Sequence, residues 1–171
     1  PDSLCLQALE SVGESEFGSS NNYAESDLKK AVDKWLEDMG KKGLDNAKLI
    51  PREIDLTTLD GSGCYGKLSV KAAPLTLDEA RKYADITPNA EQWCWLATGW
   101  SGPSKSDDDL ALCVSSRGDW CYYSCSCSRG IRPALKVPSI LFEDSEAGLD
   151  LSKIPTDDLL QEIHRRLAEK A

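Results

Sequence analysis

The feature that most constrains the fold is a contrast between two clear helix signals in the first half of the chain and a long helix-poor stretch after them. In SDLKKAVDKWLEDMG, Ser26 is a helix N-cap, Gly40 is predicted to end the helix, and one apolar face is formed by Leu28, Val32, Trp35, Leu36 and Met39. In TLDEARKYA, Thr76 and Glu79 form a capping box at the start of a second, shorter helix.

The rest of the first 142 residues is typical of short strands and loops. AKLIPREIDLTTLDGSGCYGKLSV predicts short strands and a glycine-rich loop between the helices. From Glu91 to Phe142, Gly, Ser, Pro and Asp separate the apolar runs QWCWLATGW, LALCVSS, DWCYYSCSC and RPALKVPSILF. Trp93 and Trp95 would share one face of a strand, where at least one anchors the core, while Trp100 is expected in an exposed loop.

The last segment of the chain is predicted to be a linker followed by a helix. An acidic linker, EDSEAGLD, precedes LSKIPTDDLLQEIHRRLAEKA, which predicts a third, amphipathic helix capped by Thr156. We therefore divide the chain into a ligand-binding domain, residues 1–142, and a linker with a C-terminal helix, residues 143–171. That helix could pack on the domain, or could mediate oligomer or partner contact.

The net charge argues against two classes of partner. The chain has 29 acidic and 20 basic residues and a formal charge of -9. Nucleic acids and anionic membrane surfaces are bound by clustered Lys and Arg, so neither is expected as a partner. No apolar run approaches the roughly 18 residues of a membrane span, and PDSLCLQALESVGESE lacks the order of a signal peptide. We expect no membrane insertion.

Other candidate sites have simpler interpretations. His164, the single histidine, is expected to be a solvated residue of the last helix. The chain has no second histidine to act as the base in Cys-His or Ser-His catalysis. The carboxylates of Asp107, Asp108 and Asp109 could hold calcium, but their spacing favours a solvated acidic turn. DGSGCYG (60–66) lacks the lysine-serine pair of a phosphate loop and is interpreted as β-turns.

The seven cysteines form no paired C-x2-C blocks. We interpret them as free thiols of a chain folded in a reducing compartment, with one bridge among Cys64, Cys94 and Cys113 left open.

The run CYYSCSCS (121–128) allows two interpretations. As one continuous strand, it would place Cys121, Tyr123, Cys125 and Cys127 on one face and Tyr122, Ser124, Ser126 and Ser128 on the other. One face could then be core and the other solvent. Tyr, Ser and Gly are also the residues that antibody paratopes favour, so the run could instead be a recognition surface.

The order of several motifs resembles a known family. NYAESDLKKAVDKWL, LTLDEARKY, WCWLATG followed by CVSSRG, and above all GIRPAL (130–135) resemble the bacterial and phage DUF6273-type domain. That domain belongs to the C-type-lectin-like and formylglycine-generating-enzyme-like superfamily. The resemblance covers about residues 17–142. It implies an α+β domain with two helices, a small twisted antiparallel sheet and a long loop-rich region.

The superfamily includes the variable proteins of diversity-generating retroelements, in which adenine-directed mutation changes AAC codons near the end of the domain. Such mutation yields Tyr, Ser, Cys, Asp and Gly. The run CYYSCSCS contains only residues that this mutation can produce, and it lies directly before RGIRPAL. The resemblance therefore implies a non-enzymatic protein without a cofactor. It would display a variable surface to a protein or glycan on a cell surface, formed by Trp100, Ser101, Ser104, Ser106, Asp107, Asp119, Cys121, Tyr122, Tyr123, Ser124, Cys125 and Ser126.

Arg132 is expected to have a structural role, with its guanidinium bonded to loop carbonyls or to a carboxylate and Pro133 fixing the adjacent chain. Two alternatives stay open. The first is a thiol-dependent oxidase or copper enzyme of the formylglycine-generating type, which predicts a cysteine pair with depressed pKa values and a bound metal ion. The second is an invariant phage or cell-surface structural module that acts through its last helix.

Overall fold

The computed structural model describes residues 2–139. The chain forms a mixed α+β fold, in which a short 3-10 helix, Tyr23–Glu25, precedes the first α-helix. The α-helices are α1 (Asp27–Lys41) and α2 (Leu77–Lys82). The strands are β1 (Ser3–Gln7), β2 (Glu14–Glu16), β3 (Arg52–Asp55), β4 (Lys67–Val70), β5 (Ala72–Ala73), β6 (Cys94–Gly99), β7 (Leu110–Val114), β8 (Trp120–Ser124), β9 (Ser128–Gly130) and β10 (Ala134–Pro138). The predicted C-terminal helix and its linker lie outside the described residues.

Helix α1 begins where the sequence predicts and ends slightly later. The Ser26 side chain accepts a hydrogen bond from the Lys29 backbone N–H, at 2.9 Å. The helix continues through Gly40 to Lys41, so the predicted end at Gly40 is wrong. Gly43, with a φ of 110°, follows the C-cap instead. The buried face is formed by Leu28, Val32, Leu36 and Met39.

Gly40 has a packing role within α1. A Cβ atom at Gly40 would approach the Asn46 side chain to 3.0 Å. That side chain donates from Nδ2 to the Leu36 carbonyl, also at 3.0 Å. The glycine therefore leaves room for the segment that follows the helix.

The capping box of α2 is confirmed. The Thr76 hydroxyl accepts from the Glu79 N–H at 3.3 Å, and the Glu79 carboxylate accepts from the Thr76 N–H at 2.9 Å. The same carboxylate pairs with the buried Arg52 guanidinium at 3.0 Å. Glu79, whose capping role is readable from the sequence, thus also links α2 to the strand β3.

The first and last described strands lie side by side in a three-stranded sheet of order β1-β10-β5. They pair antiparallel from Ser3 opposite Pro138 to Gln7 opposite Ala134. The Ala8 N–H then donates to the Pro133 carbonyl at 3.0 Å. This pairing places the two ends of the described chain next to each other.

A five-stranded sheet of order β2-β9-β6-β7-β8 carries the candidate site. Its pairs are antiparallel except for a parallel bridge between β6 and β9. Side chains alternate between two apolar clusters. One cluster contains Trp95, Ala97, Ala111 and Cys113 together with the buried face of α1; the other contains Leu96 and Leu112 with Leu75, Leu77 and Ala80.

The short strands and glycine-rich loop predicted between the helices are confirmed. Strands β3 and β4 pair antiparallel, from Arg52 opposite Val70 to Asp55 opposite Lys67. Gly61 and Gly66, in the loop between them, have φ values of 84° and 63°, which favour glycine. Across residues 2–139, no helix combines the length and apolar character that crossing a membrane requires.

Candidate functional site

Strand β8 forms the outer edge of the five-stranded sheet and is paired only with β7 within it. The antiparallel register places Tyr122 opposite Leu112 and Tyr123 opposite Ala111. A tight turn joins the two strands, in which the Ser115 N–H donates to the Asp119 carbonyl at 2.8 Å and Gly118 has a φ of 87°. The framework under the tyrosines is therefore regular and hydrogen-bonded.

The interpretation of residues 121–128 as one continuous strand, which was one of the two that the sequence allows, is wrong. Strand β8 ends at Ser124, and the Cys127 N–H donates back to the Ser124 carbonyl at 2.9 Å. Between them, the Cys125 N–H donates to the Asp109 carbonyl at 2.7 Å, and the Cys125 carbonyl accepts from the Phe17 N–H at 2.8 Å. Contacts with two distant segments turn the chain inward at this point.

On the α2 side of β8, two aromatic side chains have specific partners. The Tyr122 ring lies against the Trp100 ring, with centroids 4.2 Å apart and planes tilted by 47°. The Arg81 guanidinium of α2 lies 5.3 Å from the centroid of the Trp120 ring. Trp100 is half-buried, as it also packs against the second apolar cluster.

On the opposite side of β8, Tyr123 forms a second aromatic group. Its ring meets that of Trp93 edge to face, with centroids 5.3 Å apart. The Arg129 guanidinium lies over the Tyr123 ring at 4.1 Å and 6.0 Å from the Trp93 ring. Such arginine stacking holds an aromatic ring in place while leaving its outer part in solvent.

The structure thus divides the predicted surface between the two faces of one edge strand. Tyr122 is 49% exposed and Tyr123 is 36% exposed. Trp120, which the prediction omitted, is 43% exposed. Its two-residue spacing from Tyr122 was the available signal, because alternate residues of a strand share a face.

The other predicted residues fall into three groups by exposure. Seven of the twelve predicted positions are exposed: Ser104, Ser106, Asp107, Asp119, Tyr122, Tyr123 and Ser126. Trp100, Cys121 and Ser124 are half-buried. Ser101 and Cys125 are buried, at 2% and 1% exposure, so their prediction as surface residues is wrong.

Ser101 and Cys125 are buried because backbone hydrogen bonds hold their segments against the core. The Asn21 side chain donates from Nδ2 to the Ser101 carbonyl at 2.9 Å. The Cys125 side chain lies in the main core cluster, which also contains Phe17 and Trp95. Neither position offers its side chain to a large ligand in this conformation.

Asn21 organises the loop that leads to β7, and the sequence pattern gives no sign of it. Its Nδ2 also donates to the Leu110 carbonyl at 2.9 Å, and its Oδ1 accepts from the Tyr65 hydroxyl at 2.7 Å. Its N–H donates to the Asp108 carbonyl at 2.7 Å. A Cβ at Gly99 would lie 2.7 Å from the Asn21 side chain, which explains the glycine there.

The three consecutive aspartates contribute backbone carbonyls to this arrangement. Asp107 accepts from the Leu110 N–H, Asp108 from the Asn21 N–H, and Asp109 from the Cys125 N–H. Within residues 2–139, no group of three or more His, Cys, Asp or Glu side chains has a metal-binding arrangement.

An ion pair ties the same loop to the β3–β4 loop. Lys105 donates to the Asp60 carboxylate at 2.6 Å. This hydrogen bond, with another from the Thr58 hydroxyl, lowers the pKa of Asp60 to about 2.

All seven cysteines are free thiols, as the sequence analysis predicts. Burial raises the pKa of Cys125 to about 12, and burial beside Cys121 also raises the pKa of Cys113. Cys113 and Cys121 lie directly opposite each other on β7 and β8. Raised pKa values keep the nucleophilic thiolate scarce at neutral pH, whereas the oxidase hypothesis predicts a depressed pair.

Comparison of the chain with protein-family models, curated proteins and solved structures finds no match.

Proposed function

We propose that this chain is a non-enzymatic ligand-binding protein that uses the exposed aromatic side chains of β8 and the adjoining loop to recognise a macromolecule. The proposal rests on one observation. Trp120, Tyr122 and Tyr123 are partly exposed on a short strand whose backbone is paired to a buried neighbour.

Aromatic side chains suit this role for a physical reason. Tyr and Trp offer a large contact area and have few rotatable bonds, so little conformational entropy is lost when they bind. Contacts with Trp100, Trp93 and Arg129 restrict the two tyrosine rings before any ligand arrives. Preorganisation of this kind increases affinity because fewer side chains are ordered at the moment of binding.

The polar residues around β8 complete a surface of adaptable hydrogen-bonding groups. Ser104, Ser106 and Asp107 are exposed on the loop before β7, and Ser126 is exposed on the turn after β8. The Ser124 and Ser126 hydroxyls lie 2.9 Å apart. Short hydroxyl side chains can change partner without moving the backbone, which suits a position that varies between copies of a protein.

We propose a C-type-lectin-like scaffold for this surface, of the kind found in variable proteins of diversity-generating retroelements. Three features support the assignment: antiparallel pairing of the first and last described strands, two α-helices between them, and a loop-rich second half. The residues CYYSCSCS directly before RGIRPAL add support from the sequence. In this proposal the protein belongs to a bacterium or phage.

The proposed target is a protein or glycan on a cell surface. Rings displayed along a sheet edge suit an extended or flat partner better than a small molecule, which needs a deep cleft. The net charge of -9 disfavours nucleic acid.

Binding of the labelled full chain to a panel of bacterial cells and immobilised glycans tests the proposal. Tyr122→Ala combined with Tyr123→Ala should weaken binding about thirtyfold or more, since aromatic residues of this kind contribute about 2 kcal/mol at binding hot spots. Tyr83→Ala, a tyrosine on the C-cap of α2, is the matched control and should bind like the native chain. A folded double variant that binds as the native chain does would contradict the proposal, as would a native chain that binds none of the targets.

The sequence beside the gene offers a second test. A near-identical downstream repeat that differs only at adenines, next to a reverse transcriptase gene, is expected if the segment is diversified. A gene neighbourhood with neither would remove the retroelement part of the proposal and leave the recognition surface to the binding experiment.

A further inference from the structure

Arg132 is a buried cation without a matching anion. Its side chain is 6% exposed, and its Nε donates to the Ala8 carbonyl at 2.7 Å, as the predicted structural role requires. Its Nη2, however, is buried and has no hydrogen-bond partner. Within residues 2–139, no carboxylate forms an ion pair with Arg132.

An unpaired buried guanidinium is unusual because a charge removed from water needs a partner to offset the lost hydration. Burial lowers the pKa of Arg132, and the nearby Cys94 and Glu10 side chains oppose this effect. Glu10 itself accepts a hydrogen bond from the Glu91 N–H at 2.8 Å and makes no ion pair with the arginine. Arginine keeps its proton in proteins, so the group retains a positive charge.

Arg132 lies where two recesses meet. Arg132, Gln7, Leu75, Thr87 and Pro88 line both of them. The larger recess has a volume of about 610 Å³ and apolar walls that include Leu4, Leu6, Tyr83 and Ile86. The smaller one extends toward Ala84, Trp95 and Trp120.

We propose that this cavity binds a small organic monocarboxylate with an apolar tail. The ligand's carboxylate accepts hydrogen bonds from the Arg132 guanidinium once the side chains that enclose its Nη2 move aside, and this carboxylate supplies the missing anion. The tail lies in the larger recess, against Leu6, Leu75 and Ile86. The recess that holds the tail contains no residue of β8, so the proposal goes beyond the recognition function proposed for that strand.

The walls define the class of ligand. A planar guanidinium matches the two oxygens of a carboxylate in a forked geometry, which favours a carboxylic acid over a neutral polar group. The volume lies within the roughly 300–1,000 Å³ typical of small-molecule sites. Asp85 also lines the larger recess and disfavours a second negative charge on the ligand.

Titration calorimetry of the full chain with octanoate tests this proposal, with octan-1-ol and octylamine as probes of the same tail length. Octanoate should bind saturably with one site per chain, and each of the other two should bind about tenfold more weakly, because neither can accept the forked hydrogen bonds.

Two variants distinguish the arginine from the cavity walls. Arg132→Gln should abolish octanoate binding, and Arg132→Lys should weaken it about tenfold by removing the fork. If Arg132→Gln fails to fold, Ile86→Asp replaces it, because Ile86 is 79% exposed and lines the larger recess, so a carboxylate there should repel the ligand and remove an apolar contact of its tail. Leu59→Trp, at an exposed site away from the cavity, is the matched control and should bind octanoate normally.

Absence of saturable octanoate binding to the native chain would overturn the proposal. Equal affinity for octanoate and octan-1-ol would overturn it as well, because the cavity would then be a nonspecific apolar site. Undiminished octanoate binding by a folded Arg132→Gln or Ile86→Asp variant would overturn the proposal too. None of these results depends on whether β8 recognises a macromolecule.

Discussion

Tyr123 and Cys125 lie two residues apart in the same run of tyrosine, serine and cysteine, yet their surroundings are opposite. Tyr123 projects from an edge strand and is held by stacking contacts with Trp93 and Arg129. Cys125 lies in the core, and its backbone is bonded to Asp109 and Phe17. The two residues belong to a run of one composition, and strand alternation would place them on the same face. Backbone hydrogen bonds to distant segments therefore determine which of the two side chains is exposed to solvent.

The largest expected effect tests the buried side of this comparison. Cys125→Asp should destabilise the fold by about 3–5 kcal/mol, because an unpaired carboxylate would lie in the main apolar cluster. Ser126→Asp, one residue later and exposed, should change stability by less than about 0.5 kcal/mol. Urea unfolding of both variants measures the difference, and equal stabilities would show that Cys125 is not a core residue.

The second-largest expected effect on stability concerns Asn21, which holds the loop that leads to β7. Asn21→Ala should lower the free energy of unfolding by about 2 kcal/mol, because it removes the hydrogen bonds that the Asn21 side chain makes with the Ser101 and Leu110 carbonyls and with the Tyr65 hydroxyl. Asn22→Ala removes a single local hydrogen bond to the Ala24 N–H and should lower it by about 1 kcal/mol. A smaller loss for Asn21→Ala than for Asn22→Ala would contradict the bridging role of Asn21.

Substitution of Tyr123, the exposed residue of the comparison, should lower the free energy of unfolding less than substitution of Cys125. Tyr123→Ala should lower the unfolding free energy by about 1 kcal/mol, since its ring remains partly exposed and loses one edge-to-face contact. A double-mutant cycle with Trp93→Ala should give a coupling energy of about 0.5–1.5 kcal/mol. A loss comparable with that of Cys125→Asp would place the Tyr123 ring in the core.

The smallest expected effect is electrostatic and concerns the pKa of Asp60, which forms an ion pair with Lys105. The Asp60 carboxyl has a pKa below its ordinary value because of Lys105 and Thr58. A depressed pKa stabilises the native state above the unfolded pKa, and this contribution is lost as pH falls through the folded pKa near 2. In Lys105→Ala, NMR titration should show the Asp60 pKa rising toward its ordinary value. An unchanged pKa would show that the Lys105 contact is not formed in solution.

The sequence identifies the parts of the fold that depend on neighbouring residues. The capping box at Thr76 and Glu79 and the apolar stripe of α1 are local patterns, so both helices were predictable. The end of β8 at Ser124 was not, because it depends on Asp109 and Phe17, which are distant along the chain. Asn21 is a single side chain in no pattern, and its role follows only from the carbonyls that the fold brings to it.

The candidate surface shows the same division. The exposure of Tyr122 and Tyr123 was predictable from their type and setting. Their separation onto two faces followed from strand alternation. The contact of Tyr122 with Trp100 and the inward position of Ser101 required the three-dimensional arrangement of the loop.

The central claim is that the β8 tyrosines bind a partner without being needed for folding. The most direct measurement determines cell binding and urea unfolding on the same preparation of the Tyr122→Ala, Tyr123→Ala double variant. We predict that binding is lost while the chain unfolds cooperatively with a stability loss of about 2 kcal/mol. A variant that keeps native binding, or one whose binding disappears only because the chain is unfolded, would contradict the account.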